Sequence, residues 1–145
     1  MIKKATITDS ISVAELANLL WPHHEIDELD EEFKQLICSE NAACFVYYDE
    51  TVPVGFAQCE LRRDYVEGTE SIPVGYLEGI YVRSEYRMKG IAKELLFHCE
   101  QWAKSLGCSE FASDCELHNT ESFKFHLNAG FEEANRIICF TKKLC

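Results

Sequence analysis

The chain has 145 residues, 47% hydrophobic and 27% charged, with a formal net charge of −11. That length fits one domain whose core needs no staples. No apolar stretch of about 18 residues is present, and Met1-Ile2-Lys3-Lys4 leads into polar Thr6 and Asp9 rather than an apolar leader, so neither a membrane span nor a secretory signal is expected and a cytoplasmic location is. The acidity argues against a nucleic-acid partner and suits a cationic ligand, though taken alone it reads first as a means of solubility.

Ile2 to Thr8 reads as a short first strand. Thr8, Asp9 and Ser10 follow as helix-capping candidates. Ile11, Ala14, Leu16, Ala17, Leu19 and Leu20 then form an apolar stripe of helical period. Trp21-Pro22 ends this helix, because a residue before proline is pushed out of the α region. Leu29, Phe33, Leu36 and Ile37 predict a second helix. Around its start lie Glu25, Asp27, Glu28, Asp30, Glu31 and Glu32, mostly a solvated face and secondarily a field that steers cations. Ala42 to Tyr48 is rich in β-formers, Asp49-Glu50-Thr51 is a turn, and Val54 to Arg62 returns as a strand. A polar loop from Arg63 to Pro73 and a strand from Val74 to Val82 complete an antiparallel meander.

The period then changes. Ile91, Leu95, Cys99, Trp102 and Leu106 recur at helical spacing and predict a long amphipathic helix, with Gly107 as its cap. Glu110 to Ser113 is a short strand, and Thr120 to Ala129 is a helix ended by Gly130. Phe131 to Glu133 and Arg136 to Lys142 carry β character. The order β-α-α-β-β-β-α-β-α-β-β describes a mixed α/β (α+β) sheet in one domain over residues 1–145. The eight cysteines (Cys38, Cys44, Cys59, Cys99, Cys108, Cys115, Cys139 and Cys145) include no C-x-x-C pair and read as reduced structural thiols, so no metal site is expected.

The sharpest site signal is Arg87-Met88-Lys89-Gly90-Ile91-Ala92, between a strand and the long helix. Free N–H groups and the helix dipole favour an anion there, and Gly90 permits close backbone approach. Arg83, Arg87, Lys89 and Lys93 gather positive charge in an otherwise acidic chain. An ordinary strand-to-helix turn with exposed basic residues is the plainer alternative.

Arg87, Gly90 and Ala92, in the pattern Arg-x-x-Gly-x-Ala, resemble the pyrophosphate loop of the GNAT acetyltransferase superfamily. Leu77-Glu78-Gly79-Ile80-Tyr81-Val82 resembles the central strand of that family, and Asn119 with Ser122 to Phe131 resembles its next motif. The resemblance implies a GNAT-like mixed, mostly antiparallel sheet flanked by helices, and acetyl-coenzyme A as co-substrate. Leu20-Trp21-Pro22, Arg62 to Gly68, Pro73 to Ile80, Ala112-Ser113-Asp114 and Gly130 to Glu133 resemble the aminoglycoside 6'-N-acetyltransferases within it. By that resemblance Trp21, His24, Tyr65, Glu78 and Asp114 line the site of a small polycationic amine. Ile80, Tyr81, Val82, Arg87, Met88, Lys89, Gly90, Ile91, Ala92 and Asn119 belong to the cofactor side. The physics agrees: carboxylates accept from ammonium groups, and aromatic faces such as Trp21 and Tyr65 receive sugars or cations. Core packing is the alternative reading of those two aromatics.

Gly79 inside a strand of β-formers suggests a bulge. The resemblance implies that this strand polarises a thioester carbonyl, with the N–H near Ile80 as oxyanion donor and Val82 pairing the pantetheine amide. Such a donor is worth about 3 kcal/mol. The amine is expected to attack the thioester directly; Cys115 is the best-placed cysteine for an acyl-enzyme, but no His–Cys signature supports that route. Removing a proton from an amine of pKa about 10 at pH 7 costs roughly 4 kcal/mol. Glu78, directly or through a water, is the candidate acceptor, and a weak one at an ordinary carboxylate pKa. Where GNAT members often carry a tyrosine, around Phe125, this chain has His126, either a proton donor to the leaving thiolate or a hydrogen-bonding helix-face histidine. Competing functions are polyamine or protein N-acetylation, or an inactive acyl-CoA-binding module. Relatives in the subgroup are commonly dimers, and Ile137 to Phe140 is expected to pair across a homodimer.

Overall fold

The computed structural model describes residues 1–145. One sheet takes its strands in chain order: β1 (Ile2–Lys4), β2 (Ala42–Asp49), β3 (Val52–Arg62), β4 (Val74–Val82) and β5 (Phe111–Ser113). The first four are antiparallel, and β5 joins β4 in parallel. Helices α1 (Ser10–Leu20) and α2 (Ile26–Cys38) cover one face, and α3 (Ile91–Ser105) covers the other, with α4 (Thr120–Asn128) beside it.

Strand alternation divides the core. In β2, Ala43 and Phe45 pack toward α3, while Cys44 and Val46 pack toward α1 and α2. Phe56 of β3 is fully buried beneath the first helix pair, with Phe33 edge-on at 5.9 Å. Burial of such a ring stabilises the fold by roughly 2–3 kcal/mol. The first helix stops as its sequence requires: Trp21, before Pro22, leaves helical geometry at φ −122° and ψ 75°.

Two expectations are corrected. β1 ends at Lys4 rather than Thr8, because Asp9 draws the chain into a 3₁₀ turn over Ile7–Asp9. Its carboxylate accepts from the Thr6 N–H at 2.8 Å and the Tyr48 hydroxyl at 2.7 Å, and pairs with Lys3 at 2.9 Å. It therefore does not cap α1 with its side chain. The strands expected over 131–133 and 136–142 do not form; after Gly130 the chain runs to Cys145 without regular structure. β-forming side chains make a strand only against a partner edge. Ile137, Ile138, Phe140 and Leu144 have none, and are 72–88% exposed.

Candidate active site

The site is organised by one irregularity in β4. Gln58 of β3 pairs with Gly79 while Cys59 pairs with Leu77, so Glu78 is an extra residue on β4. The bulge expected at Gly79 thus sits one position earlier. Its effect is a change of phase: Leu77 before it and Ile80 and Val82 after it all pack into the core on the α3 side. Gly79 has another task. A Cβ there would stand 2.7 and 2.8 Å from two indole carbons of Trp21, so the absent side chain makes room for the ring. Trp21 is held edge-on to Phe56 at 6.2 Å. Trp21, His24, Leu29, Glu32, Gln58 and Glu78 line an open pocket of about 280 Å³ on this face.

A second consequence follows from the length of β5. It pairs only with Gly75, Tyr76 and Leu77, so the sheet splits beyond that point. The Arg83 N–H donates to Val54 O at 2.8 Å, and Gly55 stands opposite Val82. Antiparallel ladders alternate, so the N–H groups of Val82 and Ile80 point away from β3 and into the split. Consistently, the Val82 carbonyl faces outward and accepts from Arg87 Nε at 2.8 Å.

The Arg87–Ala92 segment closes the end of this split. Met88 has φ 65° and is fully exposed, and Gly90 has φ 81° as the residue before α3. Left-handed residues this close together turn successive N–H groups outward, an anion-binding arrangement. No side chain caps α3, so its first N–H groups remain available. An alanine Cβ at Gly90 would meet nothing within 4 Å, so its positive φ, not crowding, calls for glycine. Ile91 is buried and Ala92 packs on the α3-side core, fixing the helix start.

On the pocket side, Glu78 is largely buried, and Arg62 Nη2 reaches both its oxygens, Oε2 at 2.9 Å. Arg62 Nε also lies 3.9 Å from Glu60. Burial and neighbouring Glu60 push the Glu78 carboxyl up to about 7, against the opposing pull of Arg62. It is therefore a far better base at neutral pH than an ordinary carboxylate.

Residues 12–131 match the acetyltransferase (GNAT) family. The chain is 38% identical over 143 residues to an aminoglycoside N(6')-acetyltransferase type 1 of Acinetobacter haemolyticus, covering 99% of this chain and 98% of that protein. It is 38% identical over 128 residues to a protein of the same name from Salmonella typhimurium strain LT2, covering 88% of each. AAC(6')-Iy, solved with the bisubstrate analogue CoA-S-monomethyl-acetylneamine, superposes with a TM-score of 0.94 at 36% identity, over 99% of this chain and 97% of that one.

The chain belongs to the GNAT acetyltransferase family.

Not every residue expected in this GNAT site converges on it. Tyr65 is 78% exposed in the β3–β4 loop and donates to Glu67 at 3.0 Å, away from the pocket. His24 lines the pocket from an exposed position. Asp114 lies just past β5, beside a groove of about 1100 Å³ rather than in the Glu78 pocket, and accepts from the Tyr76 hydroxyl. Burial and that bond push the Tyr76 phenol up, so it stays protonated and donates. Asn119 caps α4, its Oδ1 accepting from the Ser122 N–H at 3.1 Å. Tyr81 packs toward the α1–α2 side, with the Arg87 guanidinium 5.3 Å from its ring centroid.

His126 has both ring nitrogens engaged. Nδ1 lies 2.7 Å from the Ser122 carbonyl, to which it donates, and Nε2 lies 2.8 Å from Ser113 Oγ. These bonds tie α4 to the end of β5. The reading as a hydrogen-bonding helix-face histidine is the one this geometry favours. Arg62 is the site residue that sequence reasoning passed over. It ends a strand beside a second arginine, and only the cross-strand register reveals the carboxylates it meets.

Proposed function

We propose that the protein transfers the acetyl group of acetyl-coenzyme A to the 6'-amine of an aminoglycoside, by direct attack in a ternary complex. The observation that carries this is the split between β4 and β5. It sets the free N–H groups of Ile80 and Val82 between an anion-binding turn and a basic carboxylate. The curated relatives support the choice of amine, and the acidic pocket with its Trp21 wall suits a polyammonium sugar.

Acetyl-coenzyme A supplies the activated acyl carbon. The N–H groups around Met88–Gly90 hold its pyrophosphate, and the Val82 N–H pairs a pantetheine amide. The Ile80 N–H donates to the thioester oxygen as negative charge builds there. Glu78, directly or through a water, takes the proton of the ammonium. The amine nitrogen then bonds to the acyl carbon, the C–S bond breaks, and the second proton of the nitrogen passes to the departing coenzyme A thiolate, leaving the neutral amide and the free thiol. Direct transfer of the proton to a carboxylate of ordinary strength would cost roughly 8 kcal/mol, and the raised proton affinity of Glu78 lowers that step to roughly 4 kcal/mol.

Two partner assignments complete the proposal. The protein works in the cytoplasm, where acetyl-coenzyme A is available; its eight unpaired cysteines fit a reducing compartment. It also acts as a homodimer. The exposed Ile137, Ile138 and Phe140 of one copy pair with the open edge of β5 in the other. Light scattering of the full chain and of a chain ending at residue 136 tests this, and a monomeric full chain rejects it.

Thiol release from acetyl-coenzyme A with kanamycin, spermidine and an unblocked peptide tests the activity. Kanamycin is expected to be the preferred substrate. Glu78→Ala and Asp114→Ala are expected to retain acetyl-coenzyme A binding by calorimetry, while Glu78→Ala lowers turnover about 100-fold or more. No turnover on any aminoglycoside with a 6'-amine refutes the reading.

A further inference from the structure

Glu78 and Asp114 approach the site from different strands and line different cavities. One side chain spans the gap between them. Arg62 Nη2 is held on both oxygens of Glu78, and its Cζ lies 3.5 Å from the centroid of the Tyr76 ring. The Tyr76 hydroxyl in turn donates to Asp114. The order Glu78–Arg62–Tyr76–Asp114 is thus continuous, with Glu60 flanking the guanidinium at 3.9 Å.

We propose that Arg62 is a positioning residue that joins the Glu78 and Asp114 halves of the amine site, holding and aiming the Glu78 carboxylate while clamping the ring that orients Asp114. The inference rests on the amine-acetylation reading above.

Two separable properties of Arg62 matter. Its charge opposes burial and Glu60, so Glu78 can still lose its proton near neutrality. Its planar face stacks on Tyr76, which an ammonium cannot reproduce. The other groups facing Glu78 are Glu60 on β3, Tyr76 on β4, Glu32 on α2 and His24 in the α1–α2 connection. None of them is a fixed cation, so Arg62 is the permanent positive charge on this carboxylate. A bound polycation adds its own ammonium groups, and the effect of Arg62 is therefore greatest in the free enzyme, the state reported by kcat/KM.

The test measures kcat and KM for kanamycin from pH 5.5 to 9 in wild type, Arg62→Ala, Arg62→Lys and Tyr76→Phe, with acetyl-coenzyme A binding and melting curves as checks on folding. In Arg62→Ala the acid limb of kcat/KM is expected to move up by about one pH unit, with activity recovering at high pH. Arg62→Lys is expected to hold the limb near the wild-type position but to raise KM several-fold, because the stack is lost. Tyr76→Phe keeps the stack and loses the bond to Asp114, so KM rises without movement of the limb. A purely structural role would lower activity equally at every pH. An unshifted limb in Arg62→Ala, or a fully wild-type Arg62→Lys, overturns the proposal. If Arg62→Ala fails to fold, the decision falls to Arg62→Lys and Tyr76→Phe, where unchanged KM in both overturns it. Wild type without turnover on kanamycin counts against the amine-acetylation reading instead.

Discussion

Replacing Gly79 with alanine tests the seat of Trp21. The new Cβ would stand 2.7 Å and 2.8 Å from two indole carbons and 3.6 Å from a Leu20 methyl. Ordinary carbon contacts lie at about 3.5–4.0 Å, so the ring must retreat by roughly 0.7–1 Å. It has little freedom to do so, because Trp21 ends α1 and packs on Phe56. Overpacking of this kind costs about 1–3 kcal/mol. Gly79 has no positive φ, so alanine brings no backbone strain and recovers about 0.5–1 kcal/mol as the better strand residue. The net loss is about 1–2 kcal/mol, a fall in Tm of roughly 3–8 °C for a chain of this size. KM for the amine is expected to rise as well, because the displaced indole is a wall of the pocket. Differential scanning calorimetry of a double-mutant cycle decides the matter. In a Trp21→Ala background the clash is gone, and Gly79→Ala should be neutral or stabilising. An equal loss of Tm in both backgrounds would refute the account.

Other substitutions probe separate parts of the molecule. Burial raises the Asp9 carboxyl, but hydrogen bonds from the Thr6 backbone, Lys3, Tyr48 and the Thr6 hydroxyl outweigh it and hold the group at about 2. Because its folded value is depressed, Asp9 contributes about 2 kcal/mol above pH 4, lost as pH falls toward 2; urea midpoints of Asp9→Asn and wild type should differ at pH 7 and converge in acid. The opposite sign holds for Glu78, whose folded value is raised to about 7. Wild type should lose stability relative to Glu78→Gln as pH climbs from about 4.5 through 7, in urea melts without amine. Gly90 and Gly107 have φ of +81° and +93° with no neighbour near an added Cβ, so alanine at either costs about 1 kcal/mol of strain. Calorimetry should show weakened acetyl-coenzyme A binding only for Gly90→Ala.

Elements whose signals are local were legible in the sequence. The Trp21-Pro22 stop, the α3 stripe and the glycine turn before α3 each rest on a few neighbouring residues, and they appear where expected. What depends on partners distant along the chain was not legible. Gly79 signalled an irregular strand, but only the register against Gln58 and Cys59 shows that Glu78 is the inserted residue. An ordinary carboxylate was expected there, and the juxtaposition of Glu60, Arg62 and Glu78 gives one of higher proton affinity. The C-terminal segment has strand composition without strand structure, since propensity supplies no partner edge. Tyr65 was grouped with the site by its motif, while the loop that carries it turns the ring to solvent.

The two groups aimed into the split at Ile80 and Val82 belong to the peptide chain itself. Among single replacements, only proline would strip either position of its hydrogen. The side chains there pack toward α3, so inheritance constrains them by volume rather than by reactivity. Mutation can therefore exchange Trp21, His24 or Glu32 and reshape the pocket, generation after generation, while the two N–H donors in the split pass on unaltered.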